Sequence, residues 1–210
     1  MGFEGYPVTP LIKSLEPVKE LYHLWQPVYP FLAEHIRECY NRNDGSVAEI
    51  GPFCGVIFAL QKIKAGSSFS LVTFPSGMAE FYREEAEKHN TTDVIEVIDS
   101  DAALKGVRDN TYDLILFRGA LFFPSLFSLD FKAVYRVLRT GGIALIGGGF
   151  GKYTPSPVID DIGKRSRELN LRAGKIEISE DMLRQEIQTG KIPGTIDLMS
   201  EGGLWVIMRK

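Results

Sequence analysis

The sequence predicts an α/β fold, in which a doubly wound, mostly parallel sheet of seven strands carries helices on both faces. From residue 46 onward, short apolar stretches alternate with helical stretches, which is typical of βαβ units. The stretch 112–117 is apolar on both faces, as buried parallel strands usually are. A sheet of this kind binds ligands at the carboxyl ends of its strands.

The composition is that of an ordinary globular protein and excludes several functional classes. The chain has 210 residues, of which 44% are hydrophobic and 24% charged, so one structural domain is expected. A net charge of −3 disfavours a nucleic-acid partner. Two cysteines cannot form a disulfide framework, which favours a reducing, cytoplasmic location. With no apolar run of about 18 residues and no clustered histidines, neither a membrane partner nor a metal site is expected.

The first part of the chain predicts a helical lead-in. Residues 1–14 contain two prolines and predict an irregular arm, and helices are expected at 15–25 and 28–41. We therefore divide the chain into a lead-in or lid, residues 1–45, and a ligand-binding part, residues 46–210. Both belong to one structural domain, and nothing in the sequence indicates the oligomeric state.

The remaining elements are predicted from apolar runs that end at glycine or polar turns. The predicted strands are 46–50, 69–73, 94–98, 112–117, 143–146, 175–178 and 204–208. The predicted helices are 56–63, 78–89, 131–138, 157–169 and 180–189. Thr140–Gly142 is expected to end the helix 131–138 before the fifth strand, and Ser179 to cap the last helix.

The loop after the first predicted strand, residues 49–55, is the first candidate binding element. Gly51 allows a ligand to approach the main chain, and Gly55 allows close packing of a helix on a strand. A plain tight turn would need the same glycines, so this reading stays open. Phe53 stands where a dinucleotide-binding loop needs its middle glycine, which disfavours a nicotinamide-linked oxidoreductase.

Several further segments follow this loop in a fixed order. The segment 135–142 (Tyr-Arg-Val-Leu-Arg-Thr-Gly-Gly) is the most specific of them. The full set is Glu49–Gly55, Pro75–Glu80, Asp101–Ala102, Asp109–Asp113, Arg118–Phe123, Tyr135–Gly142, Gly147–Gly151 and Gly203–Ile207. Together they resemble the class I S-adenosylmethionine-dependent methyltransferases, in particular small members of type 11. The resemblance covers about residues 20–210 and implies a Rossmann-like fold.

The resemblance implies S-adenosylmethionine as cofactor and a set of residues that bind it. Glu49 would orient the cofactor's amino group, although it could instead cap a helix or form an ion pair. Asp101 would accept a hydrogen bond from the adenine, unless it is a solvated loop acid. Arg118 would contact cofactor or substrate. The implied cofactor-binding residues are Glu49, Gly51, Pro52, Phe53, Gly55, Thr73, Phe74, Met78, Asp101, Ala102 and Arg118.

One position departs from the family. Members usually end the second strand with an acid that binds both ribose hydroxyls, whereas Thr73 occupies this place, beside Phe74. A neutral hydroxyl cannot make the charged bidentate contact, which is worth about 1.5–3 kcal/mol. The predicted function is methyl transfer to a small-molecule acceptor. The alternative is a catalytically inactive, methyltransferase-like protein that binds a ligand or a partner.

No catalytic residue is assigned, because methyl transfer from a sulfonium needs mainly alignment and exclusion of water. Cys54 is interpreted as a packing residue, since a nucleophilic role would need an activating base. Asp113 is interpreted as structural. Tyr22, His23 and Trp25 either pack in the core or form a lid over the cofactor.

Overall fold

The computed structural model describes residues 14–190 and 192–210. The described part of the chain contains seven helices and seven strands, in the order α1-α2-β1-α3-β2-α4-β3-β4-α5-β5-α6-α7-β6-β7. The strands are β1 Ser46–Ile50, β2 Ser68–Thr73, β3 Ile95–Asp99, β4 Tyr112–Arg118, β5 Leu138–Gly148, β6 Thr195–Met199 and β7 Leu204–Arg209. The helices are α1 Glu16–Trp25, α2 Tyr29–Tyr40, α3 Val56–Lys62, α4 Met78–Lys88, α5 Phe131–Val137, α6 Ser156–Arg172 and α7 Glu180–Thr189.

The seven strands form one sheet in the order β3-β2-β1-β4-β5-β7-β6. The pairings among β1 to β5 are parallel, whereas β7 runs antiparallel to both β5 and β6. The predicted doubly wound, mostly parallel seven-stranded sheet is therefore confirmed. Because β2 and β4 flank β1 and the chain leaves in opposite directions from it, the topological switch point lies between β1 and β4. Ligands of such sheets bind beyond the carboxyl ends of the strands at this point.

Two apolar cores lie on the two faces of the sheet, as the composition of β4 shows. All seven residues of this strand are buried. Leu114 and Leu116 pack in the core under α1 to α4 and α6, while Ile115 and Phe117 pack in the core that α5 and α7 cover. Successive side chains of a strand point to opposite faces, so the middle of a strand buried on both sides, here residues 114–117, is apolar.

The predicted sixth strand, 175–178, is wrong. These residues form no regular element, because the Ile176 N–H donates to the carbonyl of Phe122 (2.8 Å) rather than to a strand ladder. The sixth strand is β6, at the edge of the sheet, where its side chains are half-buried or exposed. An edge strand lacks the continuous apolar run that marks a central one.

The helix predicted at 131–138 ends at Val137, but the predicted start of the fifth strand at 143 is wrong, because β5 begins at Leu138 and includes Thr140–Gly142. The pairing of β4 with β5 passes from Tyr112–Leu138 to Leu114–Ile143, so the intervening residues bulge out of register. The Gly141 N–H is satisfied by the carbonyl of Lys210 (2.7 Å). The bulge therefore keeps its backbone paired, and the strand continues.

The lead-in helices pack against the ligand-binding part, α1 on α6 and α2 on α3. The irregular arm expected at 1–14 lies almost entirely outside the described residues. None of the helices in the described ranges is long and apolar enough to cross a membrane.

Candidate functional site

The segment 51–55, which we call the glycine loop, follows β1 at the switch point and is packed between aromatic rings. The Gly51 N–H donates to the carbonyl of Val72 (2.9 Å), and Gly51 has a φ of +100°. A Cβ on Gly55 would stand 2.5 Å from the ring of Tyr29. The Tyr82 hydroxyl donates to the carbonyls of Pro52 (2.8 Å) and Cys54 (2.9 Å). These contacts hold the loop in one conformation, which two glycines make possible.

Glu49 lies fully buried at the end of β1. Its Oε2 accepts hydrogen bonds from the N–H groups of Gly55 and Ile57, both at 2.8 Å, so it caps α3. Its Oε1 is buried and has no hydrogen-bond partner among the described residues. Burial raises the pKa of the carboxyl to about 7, against the opposing charge of Arg118. One oxygen thus caps the helix, and the other is buried without a hydrogen-bond partner among the described residues.

Arg118 ends β4 and points into the face covered by the lead-in helices. Its Nη1 donates to the carbonyl of Phe53 (3.1 Å), and the residue is 7% exposed. The guanidinium lies 5.2 Å from the ring centroid of Trp25 and 5.0 Å from that of Tyr29. Such cation–π contacts stabilise a buried guanidinium. Arg118 therefore connects the glycine loop with the lead-in helices.

A cavity of about 260 Å³ opens beside these residues. We call it the aromatic cavity, because seven of its lining residues carry phenyl, phenol or indole rings and lie in four separate segments of the chain. The lining residues are Leu21, Tyr22, Trp25, Tyr29, Phe53, Arg118, Gly119, Phe122, Phe123, Gly148, Gly149, Phe150, Gly163, Ser166, Asn170 and Lys175. Its volume is close to the lower limit of small-molecule sites, about 300 Å³.

The second half of the predicted cofactor site lies away from this cavity. Thr73, Phe74 and Met78 are buried, and none of them lines the cavity. Asp101 is exposed and accepts a hydrogen bond from the Lys105 N–H (3.3 Å), which lowers the pKa of its carboxyl. The neighbouring Ala102 is half-buried. The structure thus brings Phe53 and Arg118 together at the cavity, but not the residues after β2 and β3.

Three phenylalanine rings meet beyond the ends of β2 and β4. The ring centroids of Phe74 and Phe117 are 5.9 Å apart, and Phe127 lies 5.4 Å from each. We call these residues the phenylalanine cluster. Its position beside Gly51 and Thr73 is where the resemblance predicts the nucleoside of the cofactor.

A buried hydroxyl without a hydrogen-bond partner among the described residues lies on the residue that follows β3. The Ser100 N–H donates to the carbonyl of Thr73 (3.0 Å), so Ser100 follows β3 directly beside the tip of β2. Its Oγ is buried and has no partner among the described residues. Such groups are costly unless a water or a ligand satisfies them. Ser100 is thus a candidate for binding the nucleoside, and no motif in the sequence marks it.

Two other predicted roles agree with the geometry. Cys54 is fully buried, its thiol donates to the carbonyl of Gly51 (3.1 Å), and burial raises the pKa of the thiol. This is the environment of a packing residue. Asp113 accepts hydrogen bonds from the Ser46 N–H (2.8 Å) and from Arg139 (2.7 Å), which ties β4 to β1 and β5.

The lead-in residues divide between the core and the cavity. Tyr22 is buried and contacts Phe81 and Tyr82, whereas His23 is exposed and Trp25 is half-buried. Both Tyr22 and Trp25 line the aromatic cavity, and Tyr22 also packs in the core. Helix α1 therefore contributes both to the core and to the wall of the cavity. That this helix acts as a lid stays a prediction.

Comparison with known proteins agrees with the fold. Residues 49–146 match a family model described as a methyltransferase domain. No curated protein matches the chain.

A solved structure from Methanococcus maripaludis, described as a candidate S-adenosyl-L-methionine-dependent methyltransferase, is 25% identical. The alignment covers 100% of this chain and 97% of that one, with a TM-score of 0.76. An S-adenosylmethionine-dependent methyltransferase from Aquifex aeolicus is 15% identical. The alignment covers 93% of this chain and 98% of that one, with a TM-score of 0.61.

A third solved structure is the geranyl diphosphate C-methyltransferase from Streptomyces coelicolor, solved with S-adenosyl-L-homocysteine. It is 14% identical, with 84% of this chain and 73% of that one covered and a TM-score of 0.52.

The fold and the glycine loop at the switch point define the class I methyltransferases. Within this class, residues 49–146 match a methyltransferase-domain model of type 11, and the chain resembles the archaeal S-adenosyl-L-methionine-dependent methyltransferase over its whole length.

Proposed function

We propose that this protein transfers a methyl group from S-adenosylmethionine to a small-molecule acceptor in the aromatic cavity. The observation that carries the proposal is the position of this cavity. Phe53 of the glycine loop and Arg118 and Gly119 at the end of β4 line it directly. An acceptor there would lie beside the methionine half of a cofactor held by the glycine loop.

The residues present fit the methionine half of the cofactor. The free Oε1 of Glu49 suits an ammonium group, and the phenyl ring of Phe53 and its aromatic neighbours suit a sulfonium cation. For the nucleoside half, Ser100 offers a free hydroxyl. When bound, the cofactor supplies a methyl group, which bonds to the lone pair of the acceptor while the carbon–sulfur electrons stay on sulfur.

The protein itself contributes alignment and exclusion of water. The cavity walls are mainly apolar rings, and the lead-in helices cover one side of them. Alignment of two bound reactants can account for a large part of the rate enhancement of a group transfer. A small-molecule acceptor is also supported by a protein of related fold, the geranyl diphosphate C-methyltransferase, which was solved with a small-molecule ligand.

The experiment combines binding and turnover. Calorimetry should detect S-adenosylhomocysteine binding, and a methyl-labelled cofactor should label at least one compound in a panel of small metabolites. Absence of binding of both the cofactor and its product up to millimolar concentration would overturn the proposal. Binding without transfer to any compound would favour the inactive, methyltransferase-like alternative.

A further inference from the structure

The charges around the aromatic cavity are all positive. Among the described residues that line it, none is Asp, Glu or His, and the two charged ones are Arg118 and Lys175. Arg118 is already bonded to the carbonyl of Phe53 and covered by two rings. Lys175 is the more accessible cation, since its side chain is 32% exposed.

The backbone holds Lys175 at the rim of the cavity. The Lys175 N–H donates to the carbonyl of Asn170 (2.8 Å), and the next residue, Ile176, donates to the carbonyl of Phe122 (2.8 Å). These bonds bring the Lys175 Nζ to 5.7 Å from the ring centroid of Phe122. Among the described residues, the ammonium pairs with the carboxylate of Glu177. The Lys175 Nζ lies 3.5 Å from the Glu177 Oε1, and the Glu177 side chain is 93% exposed. An exposed pair of this kind is weak, so the ammonium can pair with a bound anion instead.

The walls of the cavity favour a flat apolar molecule. Trp25 and Phe150 form a stacked pair in the wall, with ring centroids 4.6 Å apart and an interplanar angle of 15°. Phe53 and Phe123 form a tilted pair, with ring centroids 4.3 Å apart and an interplanar angle of 37°. Aromatic ligands pack against such rings in offset or edge-to-face geometry, which aliphatic rings cannot reproduce.

The cavity also offers no group that readily removes a proton. Its two hydroxyl-bearing aromatic residues are Tyr22 and Tyr29, and burial raises the pKa of both phenols. Since the described lining residues include no carboxylate or imidazole either, an acceptor that is already anionic suits the site better than a neutral one.

We propose that the acceptor is a small planar aromatic acid, whose ring lies against the aromatic walls and whose carboxylate pairs with the Lys175 ammonium. This inference rests on the proposed function, because it names the chemical class of the acceptor. It does not depend on the family, since Lys175, Trp25 and Phe150 lie outside the segment 49–146 that the family model matches.

The test uses two matched pairs of probes, followed by calorimetry or ligand-observed NMR. Indole-3-carboxylate and indole-3-carboxamide differ in charge, and benzoate and cyclohexanecarboxylate differ in planarity. We expect each aromatic acid to bind about tenfold more tightly than its partner, the scale of one weak ionic or aromatic contact. Lys175→Gln should remove the preference for the acid over the amide. Lys164→Gln, an exposed control on α6 outside the cavity, should keep it.

S-adenosylhomocysteine binding, measured on the same samples, separates the two proposals. If the product binds but the acids bind no better than the amide and the cyclohexane acid, the acceptor class is wrong and the proposed function stands. If Lys175→Gln leaves the acid preference unchanged, the inference is also overturned. A Lys175-dependent acid preference without binding of the product would support the cavity assignment and overturn the proposed function.

Discussion

Phe117 lies against Gly51, so closely that a Cβ on the glycine would stand 2.7 Å from the phenylalanine Cε2. Gly51 begins the glycine loop, and Phe117 is the next-to-last residue of β4. The φ of +100° at Gly51 adds a second requirement, because residues with a side chain rarely adopt it. The start of the loop therefore needs glycine for two independent reasons, one steric and one conformational.

Replacement of this glycine should destabilise the protein. We expect Gly51→Ala to lower the free energy of unfolding by roughly 2–4 kcal/mol, from strain and overpacking together. Urea melts would measure this. Gly163→Ala on α6 is the matched control: a Cβ there meets nothing within 4 Å, so it should stabilise the helix by about 0.5–1 kcal/mol. Equal effects of the two substitutions would contradict the role of Phe117.

A carboxylate at the tip of β2 should not restore a family-like ribose site. Thr73 is 0% exposed, its hydroxyl is 3.4 Å from the carbonyl of Ile98, and Phe74 follows it in the phenylalanine cluster. We therefore expect Thr73→Asp to lower the free energy of unfolding by roughly 2–4 kcal/mol without tightening S-adenosylhomocysteine binding. Thr73→Val, which keeps the shape, should have a small effect. A tenfold gain in affinity for the Asp variant would show that the site is open to the ribose.

Ser100 should contribute to cofactor binding but not to stability. Its buried Oγ lacks a partner among the described residues, so Ser100→Ala removes an unsatisfied group from the free protein. If the hydroxyl bonds the nucleoside, affinity for S-adenosylhomocysteine should fall about fivefold, or about 1 kcal/mol. Ser68→Ala, at the amino end of β2, removes a hydroxyl far from the cleft and should leave affinity unchanged. Equal affinities of all three proteins would exclude the role of Ser100.

Phe127 should compete with the nucleoside for the space beside Gly51. The side chain is half-buried and stacks on Phe117 with a centroid distance of 5.4 Å. We expect Phe127→Ala to tighten S-adenosylhomocysteine binding several-fold and to cost about 1–3 kcal/mol of stability, less than for a fully buried ring. Leu129→Ala, in the same loop, should cost stability without the gain in affinity. Weaker binding of the Phe127 variant would mean that the ring contacts the ligand instead.

Glu49 should give stability a characteristic pH dependence. The native pKa of about 7 lies above the ordinary value of 4.5, so the native state binds this proton more tightly than the unfolded state. The contribution of this proton to the free energy of unfolding, about 3 kcal/mol, is therefore fully present below pH 4.5. It is lost as the pH rises to 7. Glu49→Gln cannot titrate, so urea melts across this window should show a flatter profile. If the free energy of unfolding depends on pH in the same way for the wild type and for Glu49→Gln, Glu49 is not the group that titrates.

The sequence predicted the central part of the fold because burial on both faces leaves a direct signal. β1, β2 and β4 are apolar runs bounded by polar turns, and their predicted limits agree with the structure to within one residue. β6 was missed because an edge strand has half-exposed side chains. In physical terms, the sequence pattern records which faces are buried, and an edge strand buries little.

The site was less predictable, because it depends on contacts between distant segments. Glu49, Phe53 and Arg118 were identified by their places after strands, and these three residues do lie together. Lys175 was assigned to a strand, so its position at the cavity was not foreseen. The contact of Phe117 with Gly51 and Phe127 depends on side-chain directions and on a loop path, which local sequence does not record.

The walls of the aromatic cavity have a consequence for how this protein can change during evolution. The residues that we propose to hold the methyl donor lie in the segment 49–146, whereas Trp25, Phe150 and Lys175 come from the flanking helices and loops. Substitutions in the flanks can therefore exchange one acceptor for another while the donor half stays intact. Two proteins with almost identical central segments can thus act on unrelated compounds, and acceptors should be inferred by comparing the flanks.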